Sequence, residues 1–317
     1  MEKKNIYIRF ANGYNPIQCF YNLQNTDMEG GVEECLKHEI EKAGFDLKFT
    51  FDASNLENFA GLISWEVDQR TLSNLTQYPR NQCFLLIFEP PCSRIEYYDQ
   101  KLERYFGKIF TIFESQTANP NYVKFHWPVQ PFRLKKIDNL PHFSEKKLCA
   151  MINSNNYSPF PGSTFGSRRR TLSFFAGTGE FDLYGRGWNG VPCWKGTVEN
   201  KQNTLKNYKF VICYENSTDG AGYLTEKIFD AFASHCVPVY LGAPNITDYI
   251  PKSCFVDRRD FSSEEELYHF MKNMSLETHE YYLSSAQKFL QSSDFEKFTP
   301  KYYAKTIIHH LIHAQEG

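Results

Sequence analysis

No stretch of about 18 apolar residues occurs in the chain, so the sequence offers no transmembrane helix. Its opening, Met1-Glu-Lys-Lys-Asn5, runs straight into Ile6-Tyr-Ile-Arg-Phe10 without the apolar core of a secretion signal. The expected location is cytoplasmic, with at most peripheral membrane contact. No Cys-x-x-Cys pair is present, and the nine cysteines fall at irregular spacing. They read as reduced core thiols, and no metal site is expected. Charge of one sign is also missing. A net charge of −2 lacks the basic footprint that non-specific nucleic-acid binding needs. No Gly-x-x-x-x-Gly-Lys-Ser/Thr P-loop occurs. Gly-x-Ser-x-Gly and His-Glu-x-x-His are missing too, so hydrolase readings have no constellation to rest on.

What is present is a large-core composition. The 317 residues are 41% hydrophobic and 23% charged, enough for about two domains at roughly 100–200 residues each. Ile6, Ile8 and Phe10 alternate like a half-buried strand, and Val32, Leu36 and Ile40 share one helix face. Gly61–Trp65 and Cys83–Phe88 are apolar runs, the second ended by Glu89-Pro-Pro, because proline cannot donate to a sheet ladder. Tyr97–Phe106 reads as helix and Phe110–Phe113 as strand. A charged connector, 131–145, carries Pro131 and Pro141. Beyond it come strands at Leu148–Ile152, Phe181–Tyr184, Tyr208–Cys213 and Val237–Leu241, with helices from about Ser167 and from Thr225. Ser262, with Glu265 three residues on, reads as the cap of a further helix. Strands alternating with helices predict parallel α/β architecture, with one domain over 1–140 and another over 141–317. Ligands in such sheets bind beyond the carboxyl ends of the strands.

The densest chemistry follows Cys213. A polar loop with Gly220 and Gly222 leads to Thr225, a candidate N-cap, and then to a helix whose first turn carries Glu226 and Lys227. Backbone N–H groups of a first helical turn favour an anion, and Lys227 adds a full positive charge there. A bound diphosphate would relieve its repulsion with the helix dipole. A solvated lysine is the plainer alternative. Arg168-Arg-Arg170 stand at a helix start after Gly162 and Gly166, and guanidinium groups fork onto phosphate oxygens. Glu89 ends the strongest strand of the first half, where it is either a general base or a carboxylate facing water. His309, His310 and His313 belong to a short, frayed C-terminal helix, and the arginines inside Asp257-Arg-Arg-Asp260 argue against a metal motif.

Cys213-Tyr-Glu-Asn216, Gly222-Tyr-Leu-Thr-Glu-Lys227 and Val237-Pro-Val-Tyr-Leu-Gly-Ala-Pro244, followed by Pro251, Cys254-Phe-Val256 and Asp260-Phe261, resemble the donor-domain block of the α-1,3/4-fucosyltransferases in order and spacing. The resemblance implies a GT-B fold of two facing Rossmann-like domains. It implies GDP-fucose as donor, bound by the C-terminal domain, and an oligosaccharide acceptor of the N-acetyllactosamine type. By resemblance, Glu226 holds the guanosine ribose or a fucose hydroxyl. Lys227 and one arginine, Arg168 or its neighbours Arg169 and Arg170, pair with the diphosphate. Asn216 and Tyr223 line the fucose–diphosphate pocket, and Glu89 is the base. No cofactor or metal is implied, and the expected product is α-1,3-linked with inversion. The chain shows neither the heptad repeats and basic tail of some bacterial members nor the anchor and stem of animal ones, and it resembles a bacterial, cytoplasmic member. Two other readings stay open: a GT-B glycosyltransferase using another nucleotide sugar, and a non-catalytic glycan- or nucleotide-binding protein.

Overall fold

The computed structural model describes residues 3–10, 31–65 and 67–314. Cys19 and the first two residues, on which the thiol and signal readings partly rest, lie outside them. Two compact units result: Met1–Phe132 with Glu296–Gly317, and Arg133–Phe295.

The first unit holds a six-stranded parallel sheet in the order β2-β1-β3-β4-β5-β6. Its strands are β1 (Asn5–Phe10), β2 (Asp46–Thr50), β3 (Phe59–Trp65), β4 (Cys83–Ile87), β5 (Lys108–Thr111) and β6 (Tyr122–Lys124). All of β4 is buried, which is why it reads as an unbroken apolar run rather than an alternation. Helix α1 (Val32–Lys42) buries Val32, Leu36 and Ile40, and α2 (Gln69–Leu75) follows β3. The segment expected as a helix over Tyr97–Phe106 is instead two 3-10 turns, Ile95–Tyr98 and Gln100–Arg104. Asp99 separates them with an extended backbone and accepts a hydrogen bond from the Lys101 N–H, so it starts a new turn instead of continuing the old one. The following strand begins two residues earlier than the apolar run suggests.

The second unit is a five-stranded parallel sheet in the order β11-β10-β9-β7-β8. It comprises β7 (Lys147–Ile152), β8 (Phe181–Tyr184), β9 (Tyr208–Tyr214), β10 (Val237–Leu241) and β11 (Val256–Asp257). Its helices are α3 (Phe165–Phe175), α4 (Lys201–Leu205), α5 (Glu226–Ala233), α6 (Glu264–Lys272) and α7 (Leu276–Leu290). The chain steps from β7 to β8 on one side and then crosses to β9 on the other. The strand order therefore reverses between β7 and β9, and a crevice for ligand opens at their carboxyl ends. The cap of α6 is Ser263, one residue later than expected. Its hydroxyl accepts from the Glu266 N–H at 3.0 Å, while the Glu266 carboxylate reaches back to the N–H of Ser262 at 2.8 Å.

Helix α8 (Pro300–His313) then returns to the first unit. It is docked rather than frayed: Tyr303, Ala304, Ile307, Ile308 and Leu311 are buried, and α8 packs along α1. The first-unit sheet thus recruits residues 296–317, which the expected domain boundary places with the second half. Both units are parallel α/β, as the alternation of strands and helices predicts. Among the described residues, no helix is long and apolar enough to cross a membrane.

Candidate functional site

Two loops are zipped together at the switch point of the second sheet. One leaves β7 for α3 and the other leaves β9 for α5. Ser163 and Ser217 form an antiparallel bridge, the Thr164 N–H donates to Asn216 O at 3.1 Å, and the Thr218 N–H donates to Gly162 O at 2.8 Å. Thr164 Oγ1 also donates to Glu215 O. Gly162 takes φ +73, a left-handed conformation open to glycine at little cost.

Arg168 is the residue that this zipper encloses. It is 3% exposed, and its Nη2 donates to Tyr214 O at 2.7 Å, Glu215 O at 2.8 Å and Asn216 Oδ1 at 2.9 Å. Its guanidinium therefore fixes the carbonyl end of β9 and the Asn216 side chain together. Arg169 points elsewhere, to Asn155 Oδ1 and Asn156 O, both at 2.9 Å, and Arg170 bonds Ser167 Oγ. Of the three arginines, Arg168 lines the crevice.

Sequence reasoning misses Glu215. Its side chain has no exposed surface. It accepts from the Thr225 N–H at 2.8 Å, from Thr225 Oγ1 at 2.7 Å and from Lys227 Nζ at 2.9 Å. Thr225 does precede α5, but its hydroxyl serves Glu215 and does not cap the helix. Burial disfavours the Lys227 ammonium, yet Glu215 and Glu226 outweigh it and hold the lysine charged, above its ordinary pKa. A carboxylate at the end of an apolar strand is the available signal, since a buried charge demands a partner.

A second charge group surrounds Glu226. Burial works against its carboxylate, but Lys227, Lys201 and Arg133 together lower its pKa to about 2. Lys201 Nζ lies 3.8 Å from Glu226 and 2.7 Å from Asp230, a carboxylate on the next turn of α5 that is only 4% exposed. Arg133 Nη1 meets both Asp230 oxygens at 2.7 and 2.9 Å. Tyr223 is buried at 1% exposure, and its carbonyl accepts from Tyr240 Oη at 3.5 Å. Glu89 belongs to the first unit, half-buried just past β4, where its carbonyl accepts from Tyr98 Oη at 2.8 Å.

The crevice itself has a volume of about 340 Å³. Arg168, Arg186 and Lys201 line it with the amides of Asn153, Asn156 and Asn216, and no carboxylate is among its lining residues. Tyr223, Glu226 and Lys227 are not part of that lining. Three cations without an acid at a switch point suit a polyanion such as a diphosphate.

Residues 143–289 match the model described as glycosyltransferase family 10 (fucosyltransferase), C-terminal. The second half of the chain is thus similar to glycosyltransferase family 10. An α-(1,3)-fucosyltransferase of Helicobacter pylori is 47% identical over 76 residues, 24% of this chain and 16% of that protein. The human 3-galactosyl-N-acetylglucosaminide 4-α-L-fucosyltransferase is 27% identical over 228 residues, 69% of this chain and 58% of that protein. The matched parts thus span less than two thirds of either relative. Crystal structures of an α1,3-fucosyltransferase superpose over 98% of this chain. The first covers 90% of its own chain at 17% identity and a TM-score of 0.62, and one with GDP-fucose covers 91% at 16% identity and 0.55. The matched region contains the zipper, the crevice, Glu215 with Lys227, and Glu226 with Lys201 and Asp230, whereas Glu89 and Arg133 lie outside it.

Proposed function

We propose that this chain is a family 10 glycosyltransferase and an inverting fucosyltransferase. It moves L-fucose from GDP-fucose to a hydroxyl of an N-acetyllactosamine-type glycan, with an α-1,3 linkage. The observation that carries the reading is the crevice at the switch point, lined by Arg168, Arg186 and Lys201 and by no acid. The family's description and the relatives' names support fucose as the sugar.

In the reaction, the acceptor oxygen forms a bond to the anomeric carbon as the bond from that carbon to the diphosphate breaks. The electron pair leaves with GDP. Negative charge therefore grows on the diphosphate, where preformed cations stabilise the transition state more than the ground state. Arg168 is held rigidly by three acceptors and adds its field without reorganising. Lys227, held charged by Glu215 at 2.9 Å, adds positive charge towards the diphosphate, and Glu226 holds the guanosine ribose or a fucose hydroxyl. Asn216 lines the fucose–diphosphate pocket, with the buried Tyr223 in the loop that leads to α5. Glu89 takes the proton of the acceptor hydroxyl.

The test is GDP release from GDP-fucose with and without N-acetyllactosamine, in EDTA, beside a panel of other GDP- and UDP-sugars. Acceptor-dependent release restricted to GDP-fucose supports the reading, and its persistence in EDTA supports a reaction that needs no free metal. Preference for another donor, or binding without turnover, overturns it.

A further inference from the structure

Lys201 is not among the residues that sequence pattern singles out, and α4 is a short helix that periodicity does not reveal. Its ammonium stands between two environments. On one side it meets Asp230 at 2.7 Å and Glu226 at 3.8 Å; on the other it lines the acid-free crevice with Arg168. The residue is 37% exposed along its side chain, so the four-carbon stem has room to swing.

What matters is whether the carboxylates need it. Asp230 keeps Arg133, whose Nη1 bonds both of its oxygens at 2.7 and 2.9 Å. Arg133 is itself pinned, because Gln202, the residue after Lys201, donates from Nε2 to Arg133 O at 2.5 Å. Glu226 keeps Lys227 and Arg133 as favourable charges. Each acid near Lys201 therefore retains a cation when Lys201 departs. A buried carboxylate tied to a single lysine would hold that lysine in place, but here the pairing is redundant.

We propose that Lys201 is a donor-binding residue whose ammonium passes from Asp230 and Glu226 to the diphosphate of the bound sugar nucleotide. The proposal rests on the donor reading given above. Lys201 contributes charge and hydrogen bonds only. The acceptor proton goes to Glu89, and the electron pair of the broken bond stays on the departing phosphate oxygen. Sharing the lysine between protein carboxylates and ligand leaves the empty crevice without excess repulsion among its cations, and it lets the positive charge follow the leaving group.

The experiment compares wild type, Lys201→Met and Lys201→Arg. GDP binding is measured by calorimetry, guanosine binding by ligand-observed NMR, and folding by thermal melting. Without the charge-assisted hydrogen bond from Lys201 to the diphosphate, Lys201→Met should bind GDP about 10–100-fold more weakly. Guanosine binding and the melting temperature stay as in wild type, and Lys201→Arg recovers part of the GDP affinity. A folded Lys201→Met that binds GDP like wild type overturns the proposal, as does equal loss of GDP and guanosine. Should Lys201→Met not fold, Lys201→Met with Asp230→Asn removes the cation and its carboxylate together and carries the same comparison. Wild type that binds neither GDP nor guanosine overturns the donor reading itself, a result distinct from a Lys201 that makes no difference.

Discussion

Lys227 Nζ lies 2.9 Å from Oε2 of Glu215, and Glu215 has no exposed surface at all. The lysine is thus the counter-charge of a fully buried acid before it is anything to a ligand. Removing it alone strands that acid. Lys227→Met is expected to destabilise the protein, towards the lower end of roughly 3–5 kcal/mol because the lysine is itself partly exposed. Urea unfolding measures this. The paired variant Glu215→Gln with Lys227→Met should regain a good part of the loss, and any defect in GDP binding that survives in the pair belongs to the ligand role of Lys227. A Lys227→Met protein as stable as wild type would show that Glu215 does not depend on it.

Gly242 is held by the same acid from the other side. A Cβ placed there would lie 2.4 Å from Tyr240 Oη and 2.6 Å from Glu215 Cγ. Both neighbours are fully buried and cannot retreat into solvent. Gly242→Ala should therefore cost about 1–3 kcal/mol by overpacking. It should also weaken GDP binding, since Glu215 is displaced from Thr225 and Lys227. A melting temperature within about a degree of wild type would contradict a tightly packed Gly242.

Much of the second sheet is legible because its strands are covered on both faces. Tyr208–Tyr214 and Val237–Leu241 are apolar runs that few other environments explain. The polar loop before Glu226 is equally plain, and Gly222 does take φ +79 there. The charge groups are not legible, because they join distant positions. Arg133 comes from the connector and meets Asp230 from 97 residues away, and Lys201 reaches the same acid from 29 residues away. Periodicity speaks only of neighbours three or four residues apart on a helix. The two 3-10 turns around Asp99 read as one helix for a related reason: a side-chain bond to the Lys101 N–H decides the break, and composition does not display it.

Arg168 differs from a phosphate ligand that merely projects from a helix. One nitrogen, Nη2, serves Tyr214 O, Glu215 O and Asn216 Oδ1. A lysine keeps the charge, but its shorter side chain does not carry a nitrogen to the position of Nη2. Arg168→Lys should lower the melting temperature by several degrees and weaken GDP binding about tenfold or more, through misplacement of Asn216 and the end of β9. If charge alone mattered, Arg168→Lys would bind GDP as wild type does, and calorimetry separates the two outcomes.

Stability should fall with pH well before the carboxylates titrate, and His279 is the clearest cause. It is 2% exposed on α7, with its ring 5.0 Å from Phe143 and 5.8 Å from Phe210, and its Nε2 lies 3.0 Å from Lys209 O. Burial, helped by the charges of Lys146 and Lys209 and opposed by the Lys209 carbonyl, lowers its pKa from 6.5 to about 4. Well above pH 6.5 the ring is neutral whether the chain is folded or not, so it adds no pH dependence. Between 6.5 and 4 the unfolded chain takes up a proton that the folded one refuses, and stability drops as pH falls. At about pH 5 the expected loss from this one group is about 2 kcal/mol relative to about pH 7. His126, lowered to about 3 by burial and by Lys124 and Lys297, acts in the same sense. Urea unfolding at about pH 7, 6 and 5 should therefore show a fall that His279→Gln reduces without abolishing. Glutamine still offers a donor to Lys209 O but binds no proton. A slope unchanged in His279→Gln would mean that His279 does not drive the acid sensitivity.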